Sequence, residues 1–225
     1  MLINSDIGER GAAHEIDDQL MQYIDIANIA CGGHAGSEQS VEYYYTLAKQ
    51  SGVKASVHLS YPDQDNFGRV VMDIDDNSLL KSLDKQYQLL SEVKTLKLHG
   101  ALYNEANINR SLARLVMNWA KSAGIKEVLT PQNSQIARCS EQIEVLHEVF
   151  LDRQYIYVDN ILSLKNRKEA NALISNTDEA LKQYKNFNNH YIVIDGQEYK
   201  IRADTACIHS DSDNAIDLIK AIKGV

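Results

Sequence analysis

The chain has 225 residues, of which 44% are hydrophobic and 24% are charged, and its formal net charge is -8 at pH 7. This length is typical of one barrel or sandwich domain, so we expect a single domain over residues 1–225. The acidic charge argues against a nucleic-acid partner, which would require clustered lysines and arginines.

Neither a membrane span nor a targeting segment is expected. No apolar run approaches the ~20 residues of a transmembrane helix, and the N-terminus lacks the basic region and apolar core of a signal peptide. The cysteines, Cys31, Cys139 and Cys207, are odd in number and lack C-x-x-C spacing. These features favour reduced thiols and a cytoplasmic location.

Short apolar, β-branched runs recur along the chain, and most are followed by a stretch with helical periodicity. Their nearly continuous hydrophobicity is typical of parallel strands that are covered on both faces. The predicted strands are Met1–Asn4, Ile24–Cys31, Lys54–Ser60, Leu96–Gly100, Glu127–Pro131, Glu144–Leu151 and Ala203–Ser210.

The segments between these runs carry helix signals. Ser37 is predicted to cap a helix that extends to Gln50, with Gly52 as its left-handed exit. Further helices are predicted at Asp76–Glu92, Ile108–Ser122, Asn133–Gln142, Arg167–Ile174, Thr177–Tyr184 and Ser212–Ile222. Near the C-terminus, Asp195-Gly196 between Tyr191–Ile194 and Gln197–Ile201 predicts a β-hairpin.

Alternation of strands and helices predicts a parallel sheet, because parallel neighbours need long crossovers. The alternatives are a closed β/α barrel and an open doubly wound sheet. No Gly-x-Gly-x-x-Gly follows the first strand, which weakens the dinucleotide-binding form of the open sheet. We therefore predict an α/β fold with a barrel of about seven strands.

Polar residues gather where the predicted strands end. Four of the seven histidines, His34, His58, His99 and His209, lie at such positions. In a parallel β/α fold these exits share one rim, so the residues are expected to converge. Histidine suits proton transfer at neutral pH, and nearby carboxylates orient it. An acyl- or amide-transfer site also needs groups that position substrate and stabilise negative charge, and the candidates for these roles are Asp6, Lys97 and Arg153.

Structural roles compete with these assignments. Lys97 lies inside an apolar run, where a structural ion pair is an equal alternative, and Arg153 beside Asp152 is compatible with a local salt bridge. Cys31 is expected to be a small buried apolar residue rather than a nucleophile. A divalent metal held by Asp6, His34 and His58 is a further alternative, although no His-x-His or His-Glu-x-x-His spacing marks such ligands.

The strand-exit motifs resemble those of the LamB/YcsF family, and the resemblance extends from Asn4 to the C-terminus. Its most specific segments share the family's order along the chain. They are Asn4-Ser5-Asp6-x-Gly8-Glu9, Ala27-Asn28-Ile29-Ala30-Cys31-Gly32-x-His34-Ala35-Gly36, Ser60-Tyr61-Pro62-Asp63, Phe67-Gly68-Arg69, His99-Gly100-Ala101-Leu102-Tyr103-Asn104 and Phe150-x-Asp152-Arg153-x-Tyr155.

The resemblance implies a seven-stranded β/α barrel of the glycoside hydrolase/deacetylase type. It also implies ATP-dependent opening of the 5-oxoproline lactam to L-glutamate, in complex with 5-oxoprolinase subunits B and C. We expect catalytic roles for Asp6, His34, His58, Lys97 and His99. The residues expected to bind substrate are Asn28, Asp63, Arg69, Asn104, Arg153 and His209.

The chain departs from the family's usual residues near these motifs. Gly33 stands where the family usually has Phe, Ser37 where it has Asp, and Ser210 where it has Gly. Two other functions therefore remain as alternatives. One is a metal-dependent deacetylase or carbohydrate hydrolase on the same barrel, and the other is a binding subunit that has lost turnover.

Overall fold

The computed structural model describes residues 1–158 and 161–225. In chain order the elements are β1 (Leu2–Ile7), α1 (Glu15–Leu20), β2 (Ile26–Ala30), α2 (Glu38–Ser51), β3 (Lys54–Leu59), α3 (Asp76–Gln88), β4 (Thr95–Leu98), α4 (Gly100–Ile108), α5 (Arg110–Ser122), β5 (Glu127–Thr130), α6 (Gln135–Cys139), β6 (Glu144–Phe150), β7 (Tyr155–Val158), β8 (Ile161–Leu164), α7 (Thr177–Asn188), β9 (Tyr191–Ile194), β10 (Gln197–Lys200), β11 (Thr205–Cys207) and α8 (Ala215–Lys223).

Seven of the described strands form a closed parallel barrel in the order β1-β11-β6-β5-β4-β3-β2. The predicted barrel is therefore confirmed. Strands β9 and β10 form the predicted antiparallel hairpin near the C-terminus. No described helix is long and apolar enough to cross a membrane.

Helix α2 illustrates how local sequence positions the elements. Ser37 and Ser40 form a reciprocal capping box at its start, and Gly52 ends it with a φ of 69°. The buried face of α2 includes Val41 and Tyr44, which belong to the hydrophobic core. Both predicted ends of this helix are confirmed to within a residue.

The helix predicted at Arg167–Ile174 is wrong. The segment forms turns, and Leu173 makes an isolated antiparallel bridge with Arg153. The amide of Ile174 also donates to the carbonyl of Asp152 at 2.9 Å. Pairing with the chain after β6 satisfies these backbone groups, and helical periodicity in the sequence does not reveal such a long-range partner.

Several elements were missed or misplaced. The sequence did not indicate the antiparallel pair of β7 and β8, nor helices α1 and α4. The first strand was predicted to end at Asn4, but β1 continues to Ile7. Asp6 consequently lies on a barrel strand, not in the loop that follows it.

Candidate active site

The interior of the barrel is polar near the carboxyl ends of its strands. Lys97 on β4 contacts several of the polar groups there. Its Nζ atom lies 2.9 Å from Oδ1 of Asp6 and 3.0 Å from Oε1 of Glu148. It also lies 3.2 Å from Oδ1 of Asn4 and 3.1 Å from Sγ of Cys207. All five residues are buried. A buried ammonium group thus joins carboxylates from β1 and β6.

The charges of this network are mutually stabilised. Burial acts to raise the pKa of Asp6, but His58 and Lys97 outweigh it, so that this pKa lies well below its usual value. Burial acts to lower the pKa of Lys97, but Asp6, Cys207 and Glu148 hold it well above the usual value. Lys97 therefore stays protonated and keeps Asp6 ionised. A lysine that stays protonated is unsuited to act as a proton acceptor.

Three histidines and a glutamate, Glu9, His34, His58 and His99, form what we call the histidine–glutamate cluster. The rings of His34 and His99 stack with centroids 3.6 Å apart. The ring of His58 stands at 86° and 87° to them, at 5.1 and 4.9 Å. Oε1 of Glu9 lies 3.0 Å from Nε2 of His34 and 3.4 Å from Nδ1 of His99. The predicted convergence of these histidines is present in the structure.

His58 connects the cluster to the lysine network. Its Nε2 atom lies 3.0 Å from Nδ1 of His99 and 3.4 Å from Oδ2 of Asp6. Burial lowers the pKa of His34. Burial, together with the proximity of two other histidines that disfavour a further positive charge, holds the pKa of His99 well below its usual value. His34 and His99 are therefore neutral at physiological pH.

The loop around Phe67 covers the cluster. The Phe67 ring makes T-shaped contacts with the rings of His34 and His99, with centroid distances of 5.3 and 5.4 Å. Nε2 of His99 faces the Phe67 carbonyl oxygen at 3.1 Å. Gly68 has a φ of 61°, and a Cβ there would lie 2.8 Å from Cβ of His34. The Phe67-Gly68 sequence therefore permits a close approach of the loop to the histidines.

Gly36 fixes the turn that presents His34, and its replacement provides a test. Gly36 has a φ of 88°, and a Cβ there would lie 2.1 Å from the Ala30 carbonyl oxygen. Gly52 has a comparable φ of 69°, but its Cβ would meet nothing within 4 Å. We expect Gly52→Ala to cost about 1–2 kcal/mol of unfolding free energy from backbone strain. Gly36→Ala should cost about 1–3 kcal/mol more because of the overlap. Urea denaturation of both variants measures this, and equal losses would contradict the assigned role of Gly36.

Gly33, where the family usually has an aromatic residue, is explained by Gln86 of α3. A Cβ on Gly33 would lie 2.3 Å from Oε1 of Gln86 and 2.4 Å from Oγ of Ser60. The Gln86 side-chain amide accepts from the Ser60 backbone amide at 3.0 Å and donates to the Ser60 carbonyl at 2.9 Å. Gln86 thus occupies the space beside Gly33 and braces the end of β3.

The other predicted site residues fall into two groups. Asn28 donates to Asp6 at 3.0 Å, and His209 has a ring nitrogen close to Asp6. Asp63 instead accepts from the backbone and side chain of Asn66. Asn104 is exposed on α4, and within the described part of the chain no hydrogen bond joins it or Asp63 to the histidine–glutamate cluster.

Arg69 and Arg153 lie at the barrel mouth. The Arg69 guanidinium pairs with Asp211 at 2.9 Å and lies over the Phe67 ring. Arg153 is mostly buried, and its Nη2 donates to the Lys165 carbonyl at 2.7 Å. Its Nε has no hydrogen-bond partner among the described residues.

Sequence reasoning did not assign three acidic residues to the site. Glu9 lies in a recognised motif, and its position two residues after β1 was the available signal. Glu148 lies within β6, where only the pairing with Lys97 reveals its role. Asp152 accepts from Nδ1 of His209 at 2.8 Å and from the Ser212 hydroxyl at 2.6 Å. Cys31 is buried, and burial raises the pKa of its thiol to about 12, which fits its predicted structural role.

The Asp152–His209 pair leads to a pH-dependence prediction. Burial opposes ionisation of Asp152, but His209 and Ser212 outweigh it and lower its pKa from 3.8 to about 2. Asp152 raises the pKa of His209 above 6.5, against the effect of burial. The Asp152 carboxylate therefore contributes fully to the unfolding free energy above about pH 4, and this contribution is lost towards pH 2. The His209 imidazolium contributes fully below pH 6.5, and its contribution is lost at higher pH.

We expect Asp152→Asn to lower the unfolding free energy by about 2 kcal/mol between pH 4 and 6.5, and by less on either side. Urea denaturation from pH 3 to 8 measures the difference from the wild-type chain. Glu42→Gln, at an exposed position on α2, is the matched control. A loss that does not vary with pH would contradict the assigned ion pair.

Together the fold and the site define a parallel β/α barrel with a buried histidine–carboxylate site at the carboxyl ends of its strands. A sequence profile described as the LamB/YcsF family matches residues 1–225. The chain belongs to the LamB/YcsF family.

Relatives and a solved structure agree with this assignment. The chain is similar to proteins named as the A subunit of 5-oxoprolinase, with 32% identity to that of Staphylococcus haemolyticus, over 98% of this chain and 93% of the relative. The corresponding protein of Pyrococcus abyssi is 31% identical over 99% and 92% of the two chains. The crystal structure of the lactam utilization protein from Thermus thermophilus matches with a TM-score of 0.88 and 25% identity, covering 100% of this chain and 96% of that one.

Proposed function

We propose that the chain is the lactam-opening subunit of an ATP-dependent 5-oxoprolinase, acting with subunits B and C in the cytoplasm. The proposal rests on one observation. At the barrel mouth Asp6 lies next to His58, which belongs to the histidine–glutamate cluster. The names of the relatives supply the substrate class.

The chemistry accounts for ATP coupling. A five-membered lactam is a poor electrophile, and its closure from the open form is favoured. Transfer of the terminal phosphoryl group from ATP to the lactam oxygen would release ADP and activate the ring carbon for attack by water. Collapse of the resulting adduct would break the C–N bond, and a second water would hydrolyse the acyl phosphate to glutamate and inorganic phosphate. We assign ATP to the complex as a whole.

His58 is suited to accept a proton from the attacking water. Its Nδ1 lies 3.3 Å from the Lys97 carbonyl oxygen, which only accepts hydrogen bonds, so in the tautomer that acts as a base Nδ1 donates its proton there. The Nε2 lone pair is then free to take a proton, and the Asp6 carboxylate 3.4 Å away stabilises the resulting imidazolium. Lys97 keeps this carboxylate ionised and in place.

The arginines at the mouth are suited to bind the substrate carboxylate or a transferred phosphoryl group. Asp211 lies 2.9 Å from Arg69 and 3.6 Å from Arg167. Burial and the neighbouring charge of Arg167 lower the pKa of Arg153, so its positive charge is incompletely compensated. An anion placed beside Arg153 would compensate it.

We expect Arg153→Met to raise the KM for 5-oxoproline by roughly 10-fold or more, since loss of a charge-assisted hydrogen bond costs about 1.5–3 kcal/mol. The fall in kcat should be smaller. Arg202→Met, at an exposed guanidinium near the opposite end of the barrel, is the control. Equal KM values for both variants would exclude Arg153 from substrate binding.

The proposed function is tested by glutamate release from 5-oxoproline and ATP, with subunits B and C co-expressed. Release should require the chain, both partners and ATP. The A subunit of a relative's 5-oxoprolinase, with its own partners, is the positive control. Absence of glutamate while this control is active would overturn the proposal.

A metal-dependent deacetylase is the second candidate, favoured by the ligand-type side chains of the histidine–glutamate cluster. Deacetylation of an N-acetylated sugar that needs neither ATP nor partners, and is lost on chelation, would favour it over lactam opening.

A further inference from the structure

The ring nitrogens of the histidine–glutamate cluster converge on one space. His58 Nδ1 faces the Lys97 carbonyl oxygen at 3.3 Å, and His99 Nε2 faces the Phe67 carbonyl oxygen at 3.1 Å. Because a carbonyl oxygen only accepts hydrogen bonds, each of these nitrogens can donate a proton there. In those tautomers the other nitrogen of each ring, Nε2 of His58 or Nδ1 of His99, offers its lone pair to a ligand.

These two nitrogens lie 3.0 Å apart, a separation that either a shared proton or a bound metal ion can bridge. Oε1 of Glu9 lies 3.4 Å from the His99 nitrogen and 3.9 Å from the His58 nitrogen, which adds negative charge to the same space. The cluster is therefore electron-rich at its centre.

The spacing of these atoms also fits a four-coordinate metal. Nε2 of His34 completes the set, 3.0 Å from Oε1 of Glu9, and all four ligand atoms lie within 4.8 Å of one another. Ligand atoms bonded to Zn²⁺ at ~2.0–2.1 Å in a tetrahedron stand roughly 3.3 Å apart. The measured separations, 3.0 to 3.9 Å for four of the pairs, bracket this value.

The surroundings of two of the three histidine ligands, His58 and His99, are of the kind that metal sites use. In such sites the second nitrogen of a ligating histidine donates to a carbonyl or carboxylate, which fixes the tautomer and the ring orientation. The carbonyls of Lys97 and Phe67 occupy these positions for His58 and His99. The three histidines are buried, so their orientation is also held by packing.

We propose that Glu9, His34, His58 and His99 bind one transition-metal dication of the Zn²⁺ type. Three imidazoles and one carboxylate favour Zn²⁺, Co²⁺ or Ni²⁺ over Mg²⁺ and Ca²⁺, which prefer oxygen ligands. This ligand set differs from the metal site that the sequence left as an alternative, because Glu9 and His99 replace Asp6. Asp6 is instead engaged by Lys97.

The test is calorimetric titration of the untagged, chelator-stripped full chain with ZnCl₂, together with the visible absorption of the CoCl₂ complex. We expect one equivalent of Zn²⁺, a Co²⁺ spectrum typical of four-coordination, and no competition from excess MgCl₂. Glu9→Gln, His34→Gln and His99→Gln should each weaken Zn²⁺ binding by about 100-fold or more, at least the effect of losing an outer partner of a ligand.

His190→Asn is the matched control, since His190 is exposed and its φ of 61° is one that Asn tolerates. It should bind Zn²⁺ like the wild-type chain. Thermal melts identify any variant that fails to fold, and Glu9→Gln preserves the shape of the side chain. Substoichiometric binding to the wild-type chain, or unchanged binding in folded cluster variants, would overturn the proposal.

The inference is tested separately from lactam opening, because the titration uses neither substrate nor partner subunits. A metal on Nε2 of His58 would take the place of a proton there, so His58 acts as the base only in the metal-free chain. Metal binding without glutamate release would contradict only the proposed function. Glutamate release that persists after complete removal of metal, with no Zn²⁺ bound in titration, would contradict only the metal site.

Discussion

Replacing His58 with alanine is expected to lower kcat for 5-oxoproline cleavage by roughly 10²- to 10⁴-fold, the range for loss of a positioned proton-transfer group. The reason is its position, since Nε2 of His58 lies next to both Asp6 and His99. Asp6→Asn should cause a loss of similar size, because the amide does not stabilise an imidazolium. Since the two groups act as a unit, the double variant should be little worse than either single one.

The measurement is steady-state glutamate release by the reconstituted complex. Co-purification with the partner subunits and a thermal melt separate loss of chemistry from loss of assembly or folding. His190→Asn, an exposed histidine, should retain full activity. A folded, assembled His58→Ala complex with wild-type kcat would exclude His58 as the base.

Replacing Lys97 with methionine is expected to lower the unfolding free energy by about 3–5 kcal/mol at pH 7, the cost of removing one partner from a buried ionic network. Methionine fills a similar volume but leaves the Asp6 and Glu148 carboxylates without a cation in a buried setting. Adding Glu148→Gln to this variant should restore part of the loss, because one uncompensated charge is then removed.

Lys54→Met provides the matched control for Lys97→Met. Lys54 on β3 also pairs with a carboxylate, Glu127, but its side chain is 40% exposed. Its replacement should cost less than about 1 kcal/mol, because exposed ion pairs are weak. Urea denaturation of both variants gives the comparison. Equal losses would show that the Lys97 network has no special role in stability.

Sequence reasoning predicted that His34, His58 and His99 lie close together because the strand exits of a parallel barrel converge whatever the details of packing. It left open whether Lys97 is catalytic or part of a structural ion pair, and the structure shows that Lys97 and Asp6 project from strands into the barrel and pair as ions. Sequence reasoning also missed Glu148, which lies on β6 and pairs with Lys97. A glutamate within an apolar strand has no local signal, and only its distance from Lys97 explains it.

The sequence by itself determined the alternation of strands and helices, the hairpin at Asp195-Gly196 and the capped ends of α2, since these follow from hydrophobic period and local backbone preferences. The tertiary structure alone decided which polar groups share one buried space. Barrel closure brings β1, β4 and β6 together around Lys97, and the turn at Gly36 brings His34 onto His99. Such contacts depend on strand register and loop path, which are set by the packing of the whole chain and by no single segment.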